Sequence, residues 1–111
     1  MTETTKSALD RLNERMAAAR EARGVYEEHE RRMRFDGIEV EVTREYMNHR
    51  LWRVVTDYTI DGRTVRVIDW LTKSSYGRNN AELIQLGTDR PTRTYKHVES
   101  AKAKAIELLL G

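Results

Sequence analysis

The sequence predicts an α+β fold with an N-terminal helix, a three-stranded antiparallel meander, and a C-terminal helix packed on the sheet. Two patterns carry this prediction. Residues 53–71 alternate apolar and polar side chains on both sides of Asp61-Gly62, which indicates a β-hairpin. Residues 98–109 repeat apolar side chains at spacings of three and four, which indicates an amphipathic helix. A length of 111 residues predicts a single domain, residues 1–111.

The first segment is predicted to be a helical arm over residues 5–34. Leu9, Leu12 and Met16 recur at helical spacing, and pairs such as Glu27 and Arg31 stand four residues apart in the favourable order. The apolar stripe is narrow, like the seam of a coiled coil. Two placements remain open. The helix either lies across the sheet or pairs with a helix of another protein or of a second copy.

The stretch RMRFDGIEVEV permits a second interpretation of residues 25–35. Asp36-Gly37 is also a hairpin signal, so these residues can form a strand that pairs with the one after it. The helix is preferred because it has both the apolar rhythm and the ion pairs, and Gly37 can then end it in a left-handed cap.

The sheet is predicted over residues 38–73. Ile38, Val40 and Val42 alternate with charged residues, as in a half-buried strand, and a turn at residues 47–49 leads to the second strand. A two-residue loop at 61–62 fixes the hairpin register, so that Tyr58 lies opposite Val65. The core side is expected to carry Trp52, Tyr58, Val65, Val67 and Leu71, and the second face Val55, Ile68 and Trp70.

Residues 74–95 are predicted to form an irregular loop, because serine, glycine and asparagine interrupt any periodicity. Within it, AELIQLG fits either a helical turn or a short edge strand. The final helix is predicted over residues 96–110, with a wide apolar face that packs on the sheet.

Composition limits the classes of function. The chain has 20 Lys and Arg against 18 Asp and Glu, a net charge of +2, so its overall attraction to nucleic acid or membranes is weak. The absence of cysteine excludes disulfides, thiolate chemistry and cysteine-based zinc sites. No apolar leader or membrane-length run occurs, and we expect a soluble cytoplasmic protein.

No motif in the sequence carries recognisable catalytic chemistry. His29, His49 and His97 lack metal-ligand spacing, and neither a glycine-rich phosphate loop nor a nucleophile elbow is present. We therefore predict no catalytic residues, no metal and no cofactor. Asp69 is the exception among the carboxylates, because it falls on the apolar side of its strand. It is either a buried functional carboxylate or a residue at the sheet margin beside Lys73.

Two family resemblances concern RNA. The order helix, three strands, helix resembles the double-stranded-RNA-binding domain, and KHVESAKAKAIELLL is similar to its final helix. That resemblance implies phosphate contacts by Lys96, Lys102 and Lys104. The ribbon HRLWRVVTDYTIDGRTVRVIDWLTKSSYGR resembles that of the RelE-type ribosome-dependent ribonuclease toxins. This second resemblance implies that three residues near the strand ends act on the phosphate and the 2′-hydroxyl: Lys73, Tyr76 and Arg78.

The preferred hypothesis is a small non-enzymatic binding or accessory protein, in the style of bacterial and phage regulators. It would act through protein–protein contacts and self-associate as a homodimer, with anchors at Leu9, Leu12, Met16, Val55, Ile68 and Trp70. One alternative is a nucleic-acid-binding module that uses the basic segment 90–104, with contacts from Arg90, Arg93, Tyr95, Lys96, Lys102 and Lys104. The other alternative is a RelE-like RNA-cleaving toxin.

Overall fold

The computed structural model describes residues 8–71 and 81–111, apart from the side chains of residues 20–22. Within these ranges the chain forms two helices and one six-stranded antiparallel sheet. The elements are α1 (Ala8–Ala22), β1 (Tyr26–Met33), β2 (Glu39–Met47), β3 (Arg50–Ile60), β4 (Arg63–Trp70), β5 (Ala81–Gln85), β6 (Arg93–Tyr95) and α2 (Val98–Leu110). Strand order in the sheet follows chain order, so the α+β class and the meander are confirmed. The prediction of three strands is wrong.

The helix predicted over residues 5–34 is wrong beyond Ala22. Gly24 adopts a left-handed φ of +73°, and residues 26–33 form β1, which pairs with β2 around the Asp36-Gly37 turn. The charged residues that suggested helical ion pairs find partners across the ladder instead. Arg31 lies 3.0 Å from Glu41. The competing hairpin interpretation is therefore the correct one, because cross-strand pairing satisfies both the charges and the backbone of β2.

The predicted register of the β3–β4 hairpin is confirmed: Tyr58 lies opposite Val65, and Arg53 opposite Trp70. Asp61 and Gly62 have φ values of 51° and 75°, as a two-residue type I′ turn requires.

The prediction of an irregular connection over residues 74–95 is wrong for its second half. AELIQ forms β5, which pairs with β4, and β6 pairs with β5. Ala81 and Leu83 alternate with more exposed neighbours and are 0% and 1% exposed. The free edge of β4 supplies the reason, because its backbone N–H and C=O groups need partners. Residues 74–80 lie outside the described part of the chain.

The core lies between α2 and one face of the sheet. It contains Ile38, Val40, Val42, Tyr58, Val65, Val67, Ala81, Leu83, Ala101, Ala105 and Leu109. The predicted C-terminal helix is thus confirmed, both in position and in its packing on the sheet. Trp52 and Leu71 were wrongly expected in this core. A β-bulge at Glu45 and Tyr46 shifts the register beside Trp52, whose ring contacts Trp70 on the second face, and Leu71 is 43% exposed.

The helix α1 projects from this body. Among the described residues, no strand packs closely against it. The radius of gyration is 17.7 Å, against about 13 Å for a compact chain of similar length.

Candidate functional site

Among the described residues, the largest group of exposed apolar side chains on one helix or strand is the stripe along α1. Leu9, Leu12 and Met16 are 65%, 52% and 47% exposed, and they stand at positions i, i+3 and i+7 of the helix. Amphipathic helices that dock into a groove of another protein present their anchors at this spacing. The three predicted anchors on α1 therefore lie together on one accessible face.

A cavity of about 560 Å³ opens where α1 overhangs the sheet. Its lining is mainly apolar and aromatic, with two carboxylates: Asn13, Met16, Ala17, Val25, Tyr26, Glu27, Glu45, Tyr46, Met47 and Trp52. Tyr26 and Tyr46 stack at 4.5 Å between ring centroids. Gly24 positions the chain that enters this cavity, because its carbonyl accepts a hydrogen bond of 3.1 Å from the His49 N–H. The cavity is therefore a recess of mixed apolar and acidic lining that α1 leaves unfilled.

The second face of the sheet, on which no described helix packs, holds the other predicted anchors. Val55 and Ile68 face each other across β3 and β4, yet they are only 9% and 8% exposed. Asp57 and Arg66 lie beside them on the same face and form a bidentate pair at 2.8 and 3.0 Å. The hydrogen bond from Arg66 to Asp57 raises the pKa of Arg66. Charged neighbours thus cover these two aliphatic side chains in the free protein.

Trp70 keeps some accessible surface within an aromatic and cationic cluster. Its ring lies 5.5 Å from that of Trp52, and the Arg53 guanidinium lies 4.8 Å from the Trp52 ring and 5.3 Å from the Trp70 ring. Glu45 accepts a 2.6 Å hydrogen bond from Arg53. The Trp70 Nε1 is buried without a hydrogen-bond partner among the described residues. This cluster occupies the end of the second face next to the cavity under α1.

Asp69 lies on the helix side of the sheet, in a cleft of about 260 Å³ beside α2 that also contains Lys102, Arg44 and Glu30. Burial raises the pKa of the Asp69 carboxyl, whereas Lys102 lowers it and Glu99 raises it further. The alternative that pairs Asp69 with Lys73 lies outside the described residues.

The edge strand β1 carries a dense row of charges that the sequence interpretation had placed on a helix. Arg31 bridges Glu39 and Glu41 at 3.3 and 3.0 Å, and Glu30 accepts from Arg44 at 3.2 Å. At its C-terminal end, Met33 is 66% exposed. Phe35, in the following turn, is 98% exposed. Sequence reasoning missed this edge, although Asp36-Gly37 was the signal that could have identified it.

The predicted nucleic-acid contacts do not form one surface. Arg90 and Lys96 lie in exposed segments that flank β6, and Arg93 lies on β6 itself. Tyr95 packs against the core. Lys102 lines the cleft with Asp69, whereas Lys104 stands two residues along α2, about 160° around the helix, and pairs with Glu107 at 3.2 Å. The helix therefore separates two of the predicted lysines.

The three residues that the ribonuclease-toxin resemblance implied, Lys73, Tyr76 and Arg78, lie outside the described residues. Across residues 8–71 and 81–111, no group of three or more His, Asp or Glu side chains is arranged to hold a metal ion. In the same part of the chain, no helix is long and apolar enough to cross a membrane.

The chain was compared with family models, curated proteins and solved structures. No protein-family model, no curated protein and no solved structure matches the chain.

Proposed function

We propose that this protein is a non-enzymatic interaction module that binds other protein chains and uses α1 as its docking helix. The apolar stripe of Leu9, Leu12 and Met16 would enter a hydrophobic groove on the partner, with the polar face of α1 remaining in water.

One observation carries this proposal. The side chains that the amphipathic pattern of α1 would bury are 47–65% exposed, because none of the described strands packs closely against the helix. In a single-domain protein such a stripe normally faces the core. A helix of 15 residues is also marginal in water without tertiary packing. A partner that covers the stripe would supply the missing stabilisation of α1.

The size of the stripe predicts the strength of binding. Complete burial of a Leu or Met side chain contributes about 1.5–3 kcal/mol, so the exposed portions of these three together would contribute roughly 2–5 kcal/mol. Association costs about 4–15 kcal/mol in lost rigid-body freedom. The stripe alone therefore does not offset this cost, and any complex would need contacts beyond it.

The test compares three forms of the tagged protein purified from its source cells: the wild type, the double variant Leu9→Glu/Leu12→Glu, and Ala18→Glu. Ala18 is exposed on the opposite side of α1, so its variant adds charge to the same helix without touching the stripe. We expect the wild type and Ala18→Glu to retain one partner in a defined ratio, and the double variant to lose it.

Equal retention by all three forms would contradict the proposal, because a contact on the stripe cannot survive two added charges. The mass of each purified protein in solution, measured by light scattering, identifies the class of partner. If the stripe variant changes the mass of the protein alone, the groove belongs to a second copy.

The nucleic-acid alternative has narrower support, from Arg90, Arg93 and Lys96 around β6. Three phosphate contacts would give a log–log slope of binding against salt of roughly −3 on duplex DNA. Retention on duplex with that slope, lost in Arg90→Ala/Arg93→Ala, would favour this alternative over the docking helix.

A further inference from the structure

The strand β1 is the long open edge of the sheet. It pairs with β2 on one side, and no described element lies on its other side. Eight residues of strand span about 27 Å. An exposed edge of this length is a template for strand addition unless something blocks it. The opposite edge strand, β6, has only three residues and therefore offers far fewer backbone groups for strand addition.

The order of charges on β1 is self-complementary. Glu27 and Glu28 lie in its N-terminal half, and Arg31 and Arg32 in its C-terminal half. When two such strands pair antiparallel, the acidic half of each lies against the basic half of the other. Charges on an edge usually prevent pairing, but this order prevents only parallel pairing and favours the antiparallel arrangement.

Two-fold symmetry limits the register. An axis perpendicular to the sheet keeps each face on its own side, so odd-numbered residues lie opposite odd-numbered ones and even opposite even. If the axis passes His29, Glu27 lies opposite Arg31 of the copy. If it passes Glu30, Glu28 lies opposite Arg32 of the copy.

The remaining acid on this edge, Glu30, lies opposite Glu28 of the copy in the first register and opposite Glu30 of the copy in the second, so each register also contains like charges, which neighbouring arginines offset. Arg44 holds Glu30 at 3.2 Å, and Arg32 lies 4.0 Å from it. The same pairing would also relieve a like-charge contact within one chain. Glu27 lies directly opposite Glu45 in the β1–β2 ladder, and in the His29 register Arg31 of the copy would approach Glu27.

A second observation, independent of charge, points to the same arrangement. Met33 and Phe35 are 66% and 98% exposed at the C-terminal end of β1. The cavity under α1, with its apolar and acidic lining, lies at the N-terminal end, where Val25 and Glu27 line it. In the two registers Met33 lies opposite Val25 or Glu27 of the copy. Antiparallel pairing therefore brings the exposed apolar side chains of one copy to the open cavity of the other.

We propose that β1 pairs antiparallel with β1 of a second copy, across a two-fold axis near His29 and Glu30. The two six-stranded sheets then form one continuous sheet of twelve strands. Met33 and Phe35 of each copy enter the cavity under α1 of the other. This dimer goes beyond the proposed function and does not depend on it, because it leaves Leu9 and Leu12 accessible to a further partner.

The first experiment measures solution mass by sedimentation equilibrium for the wild type, an acidic-edge variant (Arg31→Glu/Arg32→Glu) and a basic-edge variant (Glu27→Arg/Glu28→Arg). We expect the wild type to dimerise and each variant to dissociate at least about tenfold more readily, because like charges then face each other. An equimolar mixture of the two variants should regain a dimer that contains one copy of each. Circular dichroism checks that each variant is folded.

The second experiment uses the absence of native cysteine. Side chains directly opposite in an antiparallel pair have Cβ atoms about 4.5–5.5 Å apart, close enough for disulfide formation with small adjustments. His29→Cys or Glu30→Cys, according to the position of the axis, should form a disulfide-linked dimer under mild oxidation. Asp89→Cys, an exposed site in the β5–β6 loop, is the matched control and should form no disulfide-linked dimer.

Each result decides for or against this dimer. A wild-type monomer up to about 1 mM, or a mixture of edge variants that stays monomeric, would overturn it. If the dimer survives both edge variants but is lost in Leu9→Glu/Leu12→Glu, self-association runs through α1. The edge proposal then fails while the docking-helix function stands. If the edge dimer forms and the stripe variant keeps every partner, the docking-helix function fails instead.

Discussion

Replacing Gly24 with alanine should destabilise the protein more than the same change at any other glycine in a described turn. Gly24 joins α1 to β1 and has a φ of +73°. A Cβ at this position would lie 2.4 Å from the backbone nitrogen of His49 and 2.7 Å from the His49 Cδ2. The ring can rotate away, but the backbone nitrogen cannot, because it donates to the Gly24 carbonyl at 3.1 Å.

The expected magnitude follows from two costs. The left-handed conformation costs a non-glycine residue about 1–2 kcal/mol. Relief of the backbone clash adds about 1–3 kcal/mol of strain. Gly24→Ala should therefore lower the free energy of unfolding by about 2–5 kcal/mol, a large share of a total of roughly 5–15 kcal/mol. Gly37→Ala is the control, because Gly37 has a φ of +87° and nothing within 4 Å of its would-be Cβ. Gly37→Ala should cost only the ~1–2 kcal/mol of the left-handed conformation.

Urea denaturation followed by tryptophan fluorescence measures both variants. The slope of unfolding free energy for a small protein is about 1–3 kcal/mol per molar urea, so the extra ~1–3 kcal/mol of Gly24→Ala should place its midpoint roughly 0.3–3 M below that of Gly37→Ala. Equal midpoints would refute the reasoning, since they would mean that the chain at Gly24 does not approach the β2–β3 turn as described.

Three other changes test the packing, the edge and the cleft. Ala101→Leu should cost about 1–3 kcal/mol because Ala101 is fully buried on the face of α2 that packs on the sheet, whereas Ala103→Leu on the exposed side of the same helix should leave the melting temperature nearly unchanged. Phe35→Ser should alter folding stability by less than about 0.5 kcal/mol, since Phe35 is 98% exposed, but it should weaken the dimer measured by sedimentation. Burial raises the pKa of Asp69 above its ordinary 3.8, so its ionisation opposes folding; its contribution to stability is retained at low pH and lost as pH rises through the raised pKa. Asp69→Asn should then match or exceed the wild type in thermal stability at pH 7, and a clear loss there would indicate that the carboxylate has a stabilising partner.

Local sequence signals were sufficient where one short pattern determined the structure. The Asp61-Gly62 turn predicted the register of β3 and β4 pair by pair, because its two residues with positive φ permit a two-residue loop. The wide apolar face of α2, which is visible from residue spacing alone, predicted that this helix packs on the sheet. Of the candidate site, the α1 stripe was identified from spacing alone.

The error over residues 26–33 has a different cause. The pattern YEEHERRM has no apolar alternation, and its charges fit a helix and a strand equally well. The outcome depends on β2, whose outer backbone groups need a partner that only β1 supplies. The exposed Met33 and Phe35 became candidate contacts only once this edge was placed.

By itself, the sequence determined the α+β class, the central hairpin, the final helix and the apolar stripe on α1. Each of these features depends on residues that are close to one another in the sequence. The tertiary structure alone decided that the sheet has six strands, that α1 stands away from it, and that β1 is an open edge. These features depend on which backbone groups and apolar surfaces remain unpaired after the local elements form, and a local pattern does not contain that information.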